Sequence, residues 1–476
     1  MIWGDDATLQ LAAVVGDFRA SAGSHPAWIA LAHLFTKLPV GELAYRVNLA
    51  AAFSAAAALG LLFLTLRLLP ISRSASVIAT LCMGVSHTFW AHAVRPEVYA
   101  MTLATMALLL WALLRWYHGG QWWFLLVIGL ALGLAITTHL LVALYLPAVA
   151  WLLFVRRRQL GPGGAALLTV SALIALLPLG WLLWRDSRIL GMNTWEVLRW
   201  ALFTFEGHDF SGQMLRWSGA SLLSDVQQWL LFLGYQFVGP GLIFGAIGSV
   251  AAWRRMPRVL AIFVGLLYVI SAAFAFSYQV GDRYVFYLPS YLAFAVWIAL
   301  GAEQILIAVR NWKLARPSPT ALMVALVALI IVIPPLAYRL TPWAMQESGF
   351  SFREGRYVPG PNSRYFVLWP PKVGYYDARV YAEAALSSAP ANALFLADPL
   401  LATPMIYLQQ VEGLRGDVTV RFCCWDMDEA LATNMQRPLV LADVTPEIYP
   451  MIRLERDFFI TQVGPIYMLT PQNERY

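Results

Sequence analysis

Charge is what this chain has least of. Asp, Glu, Lys and Arg make up only 13 % of its 476 residues, about half the share usual in a soluble globular domain. Apolar residues reach 60 %, and the mean hydropathy is +0.63. Those figures exclude a soluble enzyme, a disordered chain and a nucleic-acid binder. Cysteine is nearly absent: Cys82 sits in an apolar run, Cys423 and Cys424 are neighbours, and no disulfide framework is readable. The sequence has no CxxC, no HExxH and no GxxxxGK(S/T), which removes the common zinc-protease and P-loop chemistries. No signal peptide is expected within the first twenty residues, which hold Asp5, Asp6 and Asp17 and lack an apolar stretch.

What is present is a succession of apolar runs. Crossing a bilayer takes about 17–25 residues. Ten runs qualify, at 47–66, 75–93, 98–114, 121–137, 139–155, 163–184, 227–252, 258–277, 285–309 and 320–341. The fourth and fifth are divided at Thr138 and His139, since one helix over 121–155 would be about 52 Å long, too long for one crossing. The 20 Trp and 20 Tyr suit the aromatic belts of a chain with many membrane–water crossings. The expected class is a polytopic α-helical membrane protein.

Loop charges orient it. One set of short loops carries Arg67, Arg73, Arg115, Arg156, Arg157, Arg158, Arg254, Arg255, Arg258, Arg310, Lys313 and Arg316, and the opposite set only Arg95 and Arg283. The positive side is cytoplasmic. Residues 1–46, the 94–97 turn, the 185–226 and 278–284 loops and everything after 342 then lie outside. That describes a multi-pass protein of the inner (cytoplasmic) membrane with a periplasmic or extracellular working face. The chain begins outside with no span before it, so a first helix is expected upstream of this start. In the 185–226 loop, Trp195, Trp200 and Trp217 mix with Arg199, a pattern of helices lying in the interface.

Two parts follow: residues 1–342 in the membrane and residues 343–476 outside. In the second part Ala393–Ala397, Asp417–Phe422 and Pro438–Ala442 read as strands, alternating with helical stretches at about 378–388, 403–412 and 444–451. Such alternation predicts a small α/β domain with a largely parallel sheet.

Polar residues that a membrane protein has reason to avoid gather on the outer face. Asp5 and Asp6 are adjacent carboxylates, followed by His25, and suit a base or a cation ligand; a solvated tail is the alternative. His92 lies inside a span and Glu97 opens the next, with Arg95 and Tyr99 around them. Ionisable groups at that depth are functional candidates, although Glu97 also suits a helix N-terminus. Asp282-Arg283 is a loop pair, and His139 stands between two short spans. All of these fall on one side.

The order of these motifs resembles a known family. Gly4-Asp5, His25-Pro26, Arg46-Val47-Asn48-Leu49, His87-Thr88-Phe89-Trp90 and Glu97-Val98-Tyr99 follow one another as in the DUF2723 family. These are bacterial relatives of the TMEM260-type protein O-mannosyltransferases, within the GT-C class of membrane glycosyltransferases. The Gly129–Leu134 run with His139, the Asp282 to Pro289 loop and the 392–417 stretch are similar too. Thr8 stands where that family usually has a glutamate, and Ala27-Trp28 where it has Pro-Gly.

The resemblance implies inverting transfer of a mannose-like sugar from a polyprenyl-phosphate donor to an acceptor hydroxyl on a protein or glycan, at the outer face of the bilayer. Asp5 would be the base, supported by Asp6. His25, His92, Arg95, Glu97, Tyr99, His139, Asp282 and Arg283 would line the substrate site, with Arg95 or Arg283 near the phosphate. A divalent cation held by Asp5, Asp6 and Glu97 stays open. A non-catalytic scaffold and a transporter are the rival classes; a transporter usually shows internal repeats and midplane charges, and neither is visible.

Overall fold

In the computed structural model the described residues are 1–21, 23–205, 208–209, 211–216, 221–311, 318–348, 358–423, 427–446 and 448–472. Trp217, Lys313, Arg316 and Cys424, named above, lie outside them.

Two short helices, α1 (Asp5–Val15) and α2 (Pro26–Phe35), precede the first long one, α3 (Leu43–Leu66). The run read as 75–93 divides into α4 (Arg73–Gly84), capped by Ser72, and α5 (His87–Ala93). Then come α6 (Tyr99–Gly119), α7 (Trp123–Thr138), a 3-10 turn at Leu140–Tyr145, α8 (Leu146–Val155) and α9 (Arg157–Leu190). Within α9 the backbone kinks at Gly161, ahead of Pro162. A capping box, Asn193 with Glu196, starts α10 (Thr194–Phe203), and the apolar stripe Trp195, Leu198 and Leu202 on that helix is exposed. Residues Thr204–Phe205 (β1) and His208–Asp209 (β2) pair antiparallel.

The run expected as one span over 227–252 is two helices, α11 (Leu222–Gln236) and α12 (Pro240–Arg255), bent by 114°. Pro240 cannot donate an N–H and Gly239 sits at φ 91°, so the helix cannot run through. The break is pinned: Gln236 accepts the Thr88 N–H at 3.0 Å through its side chain and the Tyr338 hydroxyl at 3.1 Å through its carbonyl. After it come α13 (Arg258–Ser277), a 3-10 turn at Arg283–Tyr287, α14 (Leu288–Arg310) and α15 (Pro319–Ser348).

Among the described residues six helices are long and apolar enough to cross a membrane, or seven with the bent pair. The expected 121–137 and 139–155 spans are shorter helices, Trp123–Thr138 and Leu140–Val155. Helix α9 and helix α15 leave most of their apolar surface outside the protein core, as lipid-facing helices do. Small residues let other helices touch backbone to backbone: a Cβ on Gly248 would lie 1.7 Å from the Trp297 carbonyl oxygen, and one on Gly301 1.8 Å from that of Phe244.

Beyond α16 (Ser363–Leu368) the chain alternates. Helix α17 (Asp377–Ser388) leads to β3 (Leu394–Ala397), α18 (Pro399–Glu412), β4 (Thr419–Phe422), α19 (Met427–Thr433), β5 (Leu439–Leu441), α20 (Met451–Asp457), β6 (Phe458–Val463) and β7 (Ile466–Pro471). The sheet order is β4-β3-β5-β7-β6. Strands β4, β3 and β5 run parallel, and the β6–β7 hairpin adds to β5 antiparallel. The three expected strands are there. The sheet is mixed, and not largely parallel as expected, because the β6–β7 hairpin joins it antiparallel, and the helix expected over 444–451 starts only at Met451. Cys423, at the end of β4, is disulfide-bonded, whereas Cys82 is free and buried.

Candidate active site

The first turn of α1 carries two carboxylates, and 100° per residue points them differently. Asp5 is exposed. Asp6 is fully buried, and its Oδ2 accepts the Nε–H of Arg95 at 2.7 Å. Its other oxygen, Oδ1, is buried with no hydrogen-bond partner. Arg95 belongs to the turn between α5 and α6, so this ion pair ties the N-terminal helix to the loop between two membrane segments.

On its other side Arg95 lies over the Phe366 ring, 5.0 Å from the centroid. Lys372 faces the same ring at 5.6 Å, its Nζ donating to the carbonyls of Trp369 at 2.6 Å and Pro370 at 3.1 Å. Two cations therefore share one aromatic ring beside one buried carboxylate. Burial, reinforced by Arg95 and opposed by Asp6, pushes the Lys372 amine down to about 7.

Burial also raises both Asp6 and Glu97. At Asp6 the rise is opposed by Arg95, in direct contact. At Glu97 the charge of Asp6 adds to it, as do those of Asp5 and Asp282, against Arg95 alone. Glu97 thus holds its proton well above the ordinary carboxylate range, and Asp6 carries the charge that Arg95 balances. Asp5, Asp6 and Asp282 are thus each within electrostatic reach of Glu97.

A row of rings continues from this centre. His92 meets Tyr99 edge-on at 4.8 Å, Tyr99 lies 5.6 Å from His139, and His139 stacks on His25 at 4.9 Å. His25 Nδ1 bonds to the Thr138 carbonyl at 3.0 Å, and burial lowers this imidazole to about 4, so it is neutral at pH 7. His139 Nδ1 accepts the Leu141 N–H at 3.1 Å. Both ring nitrogens of His92 are buried without a hydrogen-bond partner, a rare state that calls for a reason.

Asp282 is exposed on the approach to this centre. Arg283 turns away and is buried against α11, where it donates to Asp225 at 2.7 Å, to the Phe276 carbonyl at 3.2 Å and to Gln228. It faces α11 and not the carboxylate centre, whereas Arg95, itself paired with Asp6, lies within that centre and is the expected phosphate cation that faces the carboxylates. The donor set does not fit a metal: among the described residues no three His, Cys, Asp or Glu side chains are grouped to hold one.

Residues 21–161 match the family model described as the Protein O-mannosyl-transferase TMEM260 N-terminal domain. The resemblance is borne out. The fold agrees with it: ArnT from Cupriavidus metallidurans, in a crystal structure bound to undecaprenyl phosphate, superposes with a TM-score of 0.58 over 98 % of this chain and 92 % of its own, at 13 % identity. The oligosaccharyltransferase of Archaeoglobus fulgidus in its apo form gives a TM-score of 0.47 over 92 % of this chain and 66 % of its own, also at 13 % identity. No curated protein matches the sequence. The chain is a multi-pass membrane protein whose fold is similar to that of ArnT, and its residues 21–161 match the TMEM260 N-terminal domain model.

The mannosyl-transferase match covers His25, His92, Arg95, Glu97, Tyr99 and His139. Asp5, Asp6, Asp282 and Arg283 lie outside it, and so does Lys372, which sequence reasoning missed. Lys372 is more than 270 residues from Arg95 in sequence, and no motif marks it. One signal was available: it is one of three lysines in the chain, with Lys37 and Lys313, and it sits in the aromatic, proline-rich string Trp369-Pro370-Pro371-Lys372.

Proposed function

We propose that this protein is a glycosyltransferase that moves a mannose-like sugar from a polyprenyl-phosphate donor to an acceptor hydroxyl, on a protein or glycan, at the outer face of the membrane. The observation that carries the reading is the pair of cations, Arg95 and Lys372, held on one ring next to an exposed and a buried aspartate. It is supported by the family match and by the ArnT whose fold this chain resembles, which binds undecaprenyl phosphate.

The chemistry needs two things. An acceptor hydroxyl, with a pKa far above 7, has to lose its proton as its oxygen attacks the anomeric carbon. Asp5 takes that proton. The bond from the anomeric carbon to the phosphate oxygen breaks with inversion, and polyprenyl phosphate leaves with the electron pair. Its negative charge needs fixed positive charge in a poorly hydrated place, which Arg95 and Lys372 supply. Asp6 holds Arg95 in position. Glu97, in its protonated form, hydrogen-bonds to Asp6, and His92 offers its unpartnered nitrogens to the bound sugar or acceptor. His25, Tyr99, His139 and Asp282 form the remaining wall. Transfer of radiolabelled sugar from a polyprenyl-phosphate donor in membranes tests this, and no transfer to any acceptor fraction would overturn it.

Lys372 makes the reading pH-dependent. Its amine is charged below about 7 and neutral above, so donor capture should weaken as pH rises through that value. The kcat/KM for donor, which reports free-enzyme groups, should fall with a midpoint near there. Lys372→Arg keeps its charge and should flatten the profile. An unchanged profile in the variant would remove Lys372 from the phosphate site.

The same reading places the centre and residues 343–476 in the periplasm, with the protein in the inner membrane. It rests on the asymmetry of Lys and Arg between the two sets of loops. A reporter active only in the periplasm, fused after Tyr476, should be active. A cytoplasmic signal there would invert the orientation.

A further inference from the structure

A base displaced by about 1 Å can lose two orders of magnitude in rate, so something must hold Asp5. The residue before it is Gly4, at φ 58°, ψ −133°, a conformation that only glycine takes without strain. A Cβ there would lie 3.2 Å from Leu400 Cδ1. Gly4 is tied on both sides to the start of α18. Its N–H donates to the Leu400 carbonyl at 3.2 Å. Its carbonyl, which opens α1 by accepting from Ala7 and Thr8, also accepts the Thr403 hydroxyl at 2.9 Å.

The Leu400 carbonyl is available for a reason written in the sequence. In an α-helix it would accept the N–H four residues on. That residue is Pro404, inside α18, which has no N–H to give. Trp3 supplies a second anchor: it is 1 % exposed, its Nε1–H donates to the Tyr375 hydroxyl at 2.7 Å, and its ring lies 5.5 Å from that of Tyr381 in α17.

We propose that the α17–α18 layer is a positioning element for the membrane-bound reaction centre, holding Asp5 through the carbonyl that Pro404 leaves free, the Thr403 hydroxyl and the Trp3 anchor. This rests on the reading of Asp5 as the base. The layer touches no reacting atom; it acts through Gly4.

Pro404→Ala is the discriminating variant. It improves α18 as a helix while offering the Leu400 carbonyl an internal donor that competes with Gly4. In the full chain in detergent, backbone amide exchange over residues 2–8, read by mass spectrometry, should speed up about tenfold, the worth of one net hydrogen bond. The transfer kcat should fall by about the same factor with donor KM unchanged, and the melting temperature should not drop. Thr403→Val should act in the same direction and Thr403→Ser should restore both readouts. Ile452→Gln, on the exposed side of α20, should change neither.

Unchanged exchange in both Pro404→Ala and Thr403→Val would overturn the proposal, as would faster exchange with an unaltered kcat. Equal effects from Ile452→Gln would also overturn it, by revealing general loosening instead of a local hold. If the wild-type chain transfers no sugar from any polyprenyl-phosphate donor, the functional reading fails, and the exchange measurements still decide whether α18 holds Gly4.

Discussion

Asp5→Asn should lower sugar transfer by about 10²–10⁴-fold, the usual contribution of a general base, and leave folding intact. The amide keeps the shape of the side chain and loses the capacity to take a proton. Asp5 is exposed at the start of α1, so little packing depends on its charge. Asp6 is a different case despite being its neighbour. It is buried and its Oδ2 is committed to Arg95, so Asp6→Asn should be felt first in stability and in the placement of Arg95. If the two aspartates instead held a cation jointly, both substitutions should hurt about equally, and added Mn²⁺ or Mg²⁺ should partly restore transfer. The assay is radiolabelled sugar moved from donor to acceptor in membranes, with a melting temperature for each variant. Wild-type activity in Asp5→Asn would remove the base from Asp5 and, with it, the main chemical argument for transfer at this centre.

How far such a centre can be read from sequence depends on the kind of signal each part leaves. Apolar runs are a bulk property, and helices lie along the expected runs, but among the described residues only six, or seven with the bent pair, are long and apolar enough to cross a membrane. Breaks are local: besides the division of the 75–93 run between Gly84 and His87, two more stand out. The run over 227–252 is apolar on both sides of Gly239-Pro240, so hydropathy alone carried the reading across a bend that the dipeptide announces. The β6–β7 hairpin turns at Gly464-Pro465 between two short alternating segments, and such segments are easily lost after a long membrane domain. Asp5, Asp6, Arg95 and Glu97 stand out in the sequence because ionisable residues are rare in this composition, and the fold brings them near one another. The pairing of Asp6 with Arg95 was not readable, since the two are 89 positions apart and adjacent carboxylates look alike until burial separates them. Arg283 shows the converse: the sequence sets it beside Asp282, and the fold gives it to Asp225.

The buried pair leads to the second large effect. Arg95→Met removes the cation and leaves the Asp6 carboxylate in a place that excludes water, and breaking a buried pair in this way costs about 3–5 kcal/mol. Without Arg95, the largest influence opposing the rise that burial imposes on Asp6 is gone, and only the charge of Lys372 and the hydrogen bond with Glu97 still oppose it. Its folded-state pKa would then stand above the unfolded value, and the folded form would bind more protons than the unfolded one. Stability of Arg95→Met should therefore be best in acid and be lost as pH rises through the carboxylate range, a slope much weaker in wild type. Replacing both partners, Asp6→Leu with Arg95→Met, takes away the stranded charge and should recover most of the stability, because apolar pairs of similar volume substitute well for buried ions. Transfer should not recover with it. The double variant still lacks one of the two cations that face the leaving phosphate, so donor kcat/KM should stay as low as in Arg95→Met while the melting temperature returns towards wild type. Melting curves against pH in detergent, alongside transfer from a polyprenyl-phosphate donor, separate the two roles. Recovery of transfer together with stability would mean that Arg95 serves only to neutralise Asp6, and the phosphate would then have to be met by Lys372 alone.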